Sequence, residues 1–262
     1  MLKISDIYFG YNSKPVLRGL SCEIKSNDFV GIIGPNGVGK STFIKCLSGF
    51  LSQDKGSILL NNIPLQKYSK LQLAQRISLV AQKSYYEFDF KVHQIVLMGR
   101  FPYLKFWQSY SRKDKLRVYK VLAELDISHI ADRKLSELSG GEFQLVMIAR
   151  ALVQETDILL FDEPASHLDI HHQIRIFSIL KKMNIQANKT IIAVSHNINL
   201  AAEYCDKILV MKNGTHAYFD KVEEVMQSDK LSQVFHTPVK IATNPFTGKP
   251  MLTYNYHSTP KD

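Results

Sequence analysis

Long hydrophobic runs are missing from this sequence of 262 residues. The longest apolar stretches, around Ile158-Leu-Leu-Phe161 and Ile191-Ile-Ala-Val194, fall far short of the roughly 18 residues that suggest a membrane-crossing helix. The opening residues Met1-Leu-Lys-Ile-Ser-Asp6 carry no cationic flank followed by an apolar run, so no signal peptide is expected and a cytosolic location is. Cysteine is scarce. Cys22, Cys46 and Cys205 are scattered without C-x-x-C spacing, which argues against a thiolate metal site and suits small buried residues in a reducing compartment. Internal repeats, low-complexity tracts and Pro/Gly/Ser-rich linkers are also lacking. Acidic residues are outnumbered, 24 against 33 basic ones, for a net charge of +9 and a pI near 9.3. That excess fits nucleic acid, an anionic membrane surface or nucleotide phosphates without choosing among them.

What is present is a globular composition, 45% hydrophobic and 22% charged, able to bury a core. Residues 2–24 alternate apolar and polar side chains around a turn at Tyr11-Asn-Ser-Lys-Pro15, which reads as antiparallel strands. Phe29-Val-Gly-Ile-Ile33 is a continuous apolar run, as expected of a buried parallel strand. A glycine-rich turn follows it, and residues 40–47 have helical spacing. Residues 111–151 are expected to be mostly helical. Strand character returns at 158–161 and 190–194, and Asn213-Gly214 marks a hairpin. The order predicts an α/β fold: a phosphate-binding core, an N-terminal antiparallel β subdomain and an inserted helical subdomain.

Three constellations carry chemistry. Gly34-Pro-Asn-Gly-Val-Gly39-Lys40-Ser41 fits G-x-x-x-x-G-K-[ST] between a predicted strand and a helix, the context in which backbone N–H groups surround phosphate. Lys40 would reach the outer phosphates and the Ser41 hydroxyl would ligate Mg²⁺. Ile158-Leu-Leu-Phe-Asp162-Glu163 places an acid at the carboxyl edge of the sheet, where Asp162 would hold Mg²⁺ and Glu163 would polarise an attacking water. By itself such a run is also an ordinary strand-end loop. Leu138-Ser139-Gly140-Gly141-Glu142 before a helix is either a second anion site or a plain N-cap, with Ser139 and Glu142 forming a capping box.

In combination and in this order, these motifs resemble the nucleotide-binding domains of ABC ATPases over residues 2–235. The resemblance implies ATP and Mg²⁺ as cofactors. It implies that Tyr11 stacks on adenine, and that Gly34, Pro35, Asn36, Gly37, Val38, Gly39, Lys40, Ser41 and Thr42 surround the phosphates. Ser41, Gln82 and Asp162 would serve the metal, with Glu163, His196 and Gln82 at the reacting end. Ser139, Gly140 and Gly141 would cover ATP held by a second subunit, making a homodimer. Ser166-His-Leu-Asp169 resembles the loop that crosses the dimer interface, and Glu142 and Asp169 are counted among the ATP-binding residues. Two departures stand out: Phe143-Gln144-Leu145 replaces the family's Gln/Arg-rich stretch, putting surface contacts of that helix in question, and His167 occupies an interface-loop position where Ala is also common. The segments Val96-Leu-Met-Gly99-Arg100-Phe-Pro102-Tyr103 and His196-Asn-Ile-Asn-Leu-Ala-Ala-Glu-Tyr-Cys-Asp206 are similar to the ATPases of importers for iron–siderophore complexes, haem and cobalamin. That implies membrane permease partners, a periplasmic or lipoprotein solute-binding protein indirectly, and a place on the cytoplasmic face of the membrane. The other reading is a soluble ABC ATPase acting on nucleic acid or ribosomes. It would be expected to bring a coiled-coil insertion or a second ATPase unit, and neither is seen, so no nucleic acid is expected. The division expected is one domain, with a core of residues 1–85 and 155–235, a helical subdomain 86–154 and a C-terminal extension 236–262 carrying no readable motif. Nine aromatic residues crowd between 85 and 110, among them Tyr85, Tyr86 and Phe106. Part of that group is expected to receive a short permease helix.

Overall fold

The computed structural model describes residues 1–82, 88–105 and 107–254. The chain opens with β1 (Leu2–Tyr11) and β2 (Lys14–Ile24), passes through β3 (Phe29–Ile33) into α1 (Lys40–Leu47), and returns through β4 (Lys55–Leu60) and β5 (Ile63–Pro64). Then come α2 (Lys70–Ala74), β6 (Ile77–Val80), α3 (Val92–Met98), α4 (Arg112–Glu124) and α5 (Gly140–Val153). The second half alternates β7 (Ile158–Asp162), α6 (Ile170–Gln186), β8 (Thr190–Val194), α7 (Ile198–Tyr204) and β9 (Lys207–Lys212), and continues through β10 (Thr215–Lys221), α8 (Val222–Val225) and α9 (Ser228–Phe235). A last hairpin joins β11 (Val239–Thr243) to β12 (Pro250–Tyr254). This hairpin lies in the extension where no motif was readable.

Two sheets organise the molecule. The central one runs β10-β9-β3-β8-β7-β6, parallel from β9 to β6 with β10 antiparallel at one edge; the other is antiparallel, β2-β1-β4-β5. Every residue of β3, β7 and β8 is buried, which is why these strands read as continuous apolar runs rather than alternations. Their pleat sends alternate residues to two cores. Val30 and Ile32 pack with the antiparallel sheet and α1, while Phe29 and Ile33 pack with the helical layer. Burying each such side chain contributes roughly 1.5–3 kcal/mol, so the central strands anchor both halves. Gly31 is required by close approach: a Cβ there would lie 2.9 Å from Cys205 Sγ, beneath α7. Burial pushes the Cys22 and Cys46 thiols up to about 12 and raises Cys205 further, in keeping with inert residues in the core or, for half-buried Cys22, packed against it.

The helical insert is stapled from within. Arg100, almost fully buried, donates from Nε to Asp114 (2.9 Å) and from its terminal amino group to Val153 C=O (2.9 Å) and Glu155 (3.1 Å), with its guanidinium 4.1 Å from the Tyr103 ring. Gly99 lets this turn lie against Arg150 C=O, where a Cβ would collide. The Gly99-Arg100-Phe-Pro-Tyr103 stretch therefore joins the ends of α3, α4 and α5. Leu145 is buried in the helical core and Phe143 packs against it, so these two replacements concern packing rather than the helix surface in question above.

Candidate functional site

Four parallel strands that are neighbours in the sheet, β3, β8, β7 and β6, deliver four loops side by side at their carboxyl ends. These loops hold the phosphate-loop residues, His196, Asp162 with Glu163, and Gln82. Together with Tyr11, residues Asn36, Gly37, Gly39, Lys40, Ser41, Thr42, Gln82, Glu163 and His196 line one cleft of about 480 Å³. Tyr11 stands at its mouth, half-exposed and edge-on to Phe9 with ring centroids 4.9 Å apart.

The loop backbone explains the cleft. Gly34, Gly37 and Gly39 take positive φ, and the N-cap of α1 is Gly39 at φ 103°, with no side chain capping the helix. The first N–H groups of α1 are thus left for a ligand, at the end of the helix where the dipole favours an anion. Lys40 is buried and donates to Gly34 C=O (2.8 Å) and Pro35 C=O (2.9 Å), its ammonium held inside the loop by backbone carbonyls. Burial lowers its pKa, against the opposing charges of Glu163 and Asp162. Ser41 Oγ donates to Asp162 Oδ1 at 2.8 Å. Burial raises the Asp162 pKa, offset by the Ser41 bond and by Lys45 and Lys40, while Glu163 adds to the rise.

At the reacting end Gln82 Nε2 donates to one oxygen of Glu163 at 2.6 Å, and His196 Nε2 lies 2.5 Å from the other. Glu163 has φ 56°, a region unfavourable for a side chain of this kind, of a cost of order 1–3 kcal/mol when held there. Two side chains from different strands fix the carboxylate, so its aim is set before any substrate arrives. Neither pair was visible as a bond in the sequence, though both residues were singled out.

Ser139 to Glu142 do not line the cleft. Ser139 caps α5: Glu142 N–H donates to Ser139 Oγ (3.3 Å), Ser139 N–H donates to Glu142 (2.8 Å), and Arg133 donates to Glu142 (3.1 Å). The bond from Ser139 N–H leads the causes that hold the Glu142 carboxyl low. Both readings of this motif therefore stay compatible, since the capping box forms and the helix start remains free to face another molecule. Asp169 caps α6 in the same manner, accepting from His172 N–H at 2.9 Å. Pro35 and Val38 line a neighbouring groove with Arg18 and His236. Sequence reasoning passed over His172 and Gln173, in the first turn of the helix that Asp169 caps; two histidines behind a helix-capping acid were the available signal.

A phosphate loop, a paired acid strand and a poised Glu163 on one parallel sheet edge define a P-loop nucleoside-triphosphatase. Residues 17–166 match the family described as ABC transporter. The chain is 35% identical to the petrobactin import ATP-binding protein FatE of Bacillus anthracis, over 94% of this chain and 98% of that one. It is 35% identical to the hemin import ATP-binding protein HmuV of Pseudomonas fluorescens, over 96% and 99%. Among solved structures, it superposes on a chain of an inward-facing ABC transporter assigned to the metal-chelate type, with TM-score 0.86, 27% identity and 98% coverage of both. A dimeric ATP-binding cassette solved after hydrolysis with ADP and Pi gives TM-score 0.74 at 27% identity, over 85% of this chain and 99% of that one. The chain belongs to the ABC transporter family, as an ATP-binding subunit with ATPase activity.

Proposed function

We propose that the chain works as a homodimer closing around two ATP molecules, and that closure drives a separate membrane permease importing iron–siderophore, haem or cobalamin. Each ATP lies in one protomer's cleft, with adenine on Tyr11 and phosphates on residues 34–42. The other protomer covers it with Ser139, Gly140, Gly141, Glu142 and Asp169. The observation carrying this reading is the Glu163 carboxylate held between Gln82 and His196 beside the phosphate loop. Glu163 orients the attacking water and takes up its proton, and His196 steadies the outer phosphate. Ser41, Gln82 and Asp162 offer oxygen donors suited to Mg²⁺, the first and last already 2.8 Å apart. When bound there, the ion neutralises charge on the phosphate oxygens.

Several observations support the partners. The matched relatives are named as import ATP-binding proteins, and a matched cassette is dimeric. No helix among the described residues is long and apolar enough to cross a membrane. A peripheral place on the cytoplasmic face is supported by the likeness to import ATP-binding proteins. Phe88, Phe101 and Trp107 are strongly exposed on the insert, as a surface meeting a permease helix requires; Tyr85, Tyr86 and Phe106 lie outside the described residues. We also propose the division into core 1–85 and 155–235, insert 86–154 and extension 236–262. The run of helices between β6 and β7 supports the insert, while the boundary at 85 and the end of the extension lie outside the described residues.

The test is Glu163→Gln. It should retain ATP binding, lose roughly 10²–10³-fold in turnover and accumulate an ATP-bound dimer on size-exclusion chromatography. Turnover near wild type would remove Glu163 from its role. Uptake of labelled ferric siderophore, haem and cobalamin by vesicles containing the permease would name the cargo.

A further inference from the structure

We infer that His172 and Gln173, at the start of α6, are positioning residues that make the loop 166–169, the start of α5 and the loop carrying His196 after β8 move as one unit. This rests on the composite dimer proposed above. The groups at one end of the unit serve a protomer's own ATP, and those at the other end serve its partner's.

The argument begins with what α6 needs. Asp169 already caps the helix through His172 N–H, so neither side chain is required for that. His172 Nδ1 nonetheless donates to the same carboxylate at 2.8 Å, which turns its ring toward the start of α5. There the imidazole fills the place of a missing side chain: a Cβ on Gly141 would lie 2.6 Å from Nε2 and overlap the ring. His172 is thus a wedge between Asp169 and Gly141.

Gln173 spends both ends of its amide on two different loops. Its Nε2 donates to Leu168 C=O at 3.0 Å, and its Oε1 accepts from Asn197 Nδ2 at 3.3 Å. Asn197 follows His196 and caps α7, accepting from Leu200 N–H at 3.1 Å. Ordering a glutamine side chain costs conformational entropy that no cap recovers, so the two bonds are what hold it. A continuous path results, from Glu163 and His196 through Asn197 and Gln173 to Leu168, then through Asp169 and His172 to Gly141. The state of one ATP is thereby felt at the surface offered to the other.

The experiment uses the full chain with MgATP. Gln173→Leu removes both bonds, and Asn197→Ser removes one while keeping a good helix cap. Each should lower kcat roughly tenfold and reduce the Hill coefficient for ATP from about 2 toward 1. Nucleotide affinity, read with a fluorescent ATP analogue, should stay within about twofold. Because both variants break one path, the double variant should be no worse than the poorer single one. Unchanged kcat and cooperativity, or losses that multiply in the double variant, would overturn the inference. If Gln173→Leu unfolds by circular dichroism, Asn197→Ser decides alone. His172→Asn keeps a donor for Asp169 but withdraws the ring from Gly141; wild-type kcat there would remove His172 from the unit. Glu163→Gln separates the two readings. A dimer with ATP beside silent Gln173 and Asn197 variants sinks only this inference, whereas a chain that stays monomeric in excess ATP removes the composite site and this inference together.

Discussion

At the start of α1 the N-cap is Gly39, left-handed and without a capping side chain; at the start of α5 it is Ser139, extended and bonded reciprocally with Glu142. One follows a glycine-rich turn and the other opens on Gly140 and Gly141, and in sequence they look like the same device. In three dimensions one helix start is unfinished and the other complete. The unfinished one needs an anion in its own chain, and burial of Lys40 adds to that need. The finished one is stable alone, so it can be carried rigidly to a neighbour's nucleotide. On the proposed reading, the anion site serving its own protomer leaves its donors open, and the one serving the partner keeps its helix intact until contact.

The comparison breaks most readily at Lys40. Lys40→Ala should lower kcat/KM by roughly 10²–10³-fold, since the charge on the outer phosphates is lost where no capping group replaces it. Steady-state phosphate release measures this, and a loss below about fivefold would mean that the α1 start is not the anion site.

The next effect is on the metal side. Burial raises the Asp162 pKa above its ordinary value and lowers that of Lys40, and in the proposed site the charged form of each is the one that binds. The acid limb of kcat/KM is therefore displaced upward, as Asp162 takes its proton, and the alkaline limb downward, as Lys40 loses its own. More Mg²⁺ should be needed as pH falls. Asp162→Asn should cost roughly 10²-fold in activity without lowering Tm, because burial disfavours the charge in the folded chain while the Ser41 bond persists to the amide oxygen. A clear drop in Tm would show that the charge stabilises the fold.

A smaller effect is expected at the other helix start. Ser139→Ala should destabilise the chain by about 1 kcal/mol through the lost cap, readable in urea. Mixed with Lys40→Ala, it should regain part of the activity, since heterodimers then hold one intact composite site. Absence of any recovery with heterodimers formed counts against action across the interface. The smallest effect is Glu142→Gln, which keeps the capping geometry and loses only the charge facing Arg133. Stability should change by less than about 0.5 kcal/mol.

Much of this was legible beforehand, for reasons that differ by element. The strands β3, β7 and β8 announce themselves because burial on both faces leaves an unbroken apolar run. Asn213-Gly214 was readable because both residues take positive φ at a two-residue turn. The cleft followed from the strand order once the motifs were placed. The extension stayed silent because β11 and β12 form a sheet of only two strands, with too few buried positions to set a clear alternation. Arg100 was readable as a family marker, but not as a buried clamp, since its three partners are scattered from residue 114 to 155. The Gln173 bridge was hidden for the same reason. A glutamine carries no local signal when its two partners arrive from different loops.

The attachment of that terminal hairpin has a consequence of its own. Asn199 donates to Leu252 C=O (3.1 Å) and accepts from Leu252 N–H (2.8 Å), so one amide side chain takes the place of a neighbouring strand. Glu203, one turn further along α7, receives Asn244 and Thr247 from the hairpin's tip, where Phe246 stands almost fully in solvent. The hairpin is thus a graft on a helix rather than an extension of a sheet. Its grip lies on one helix face, at Asn199 and Glu203, so turn residues that touch neither, Phe246 among them, are free to diversify while Asn244, Thr247 and Lys249 are kept. Fusion partners or probes placed in that turn would ride on α7, whose first turn begins two residues after His196.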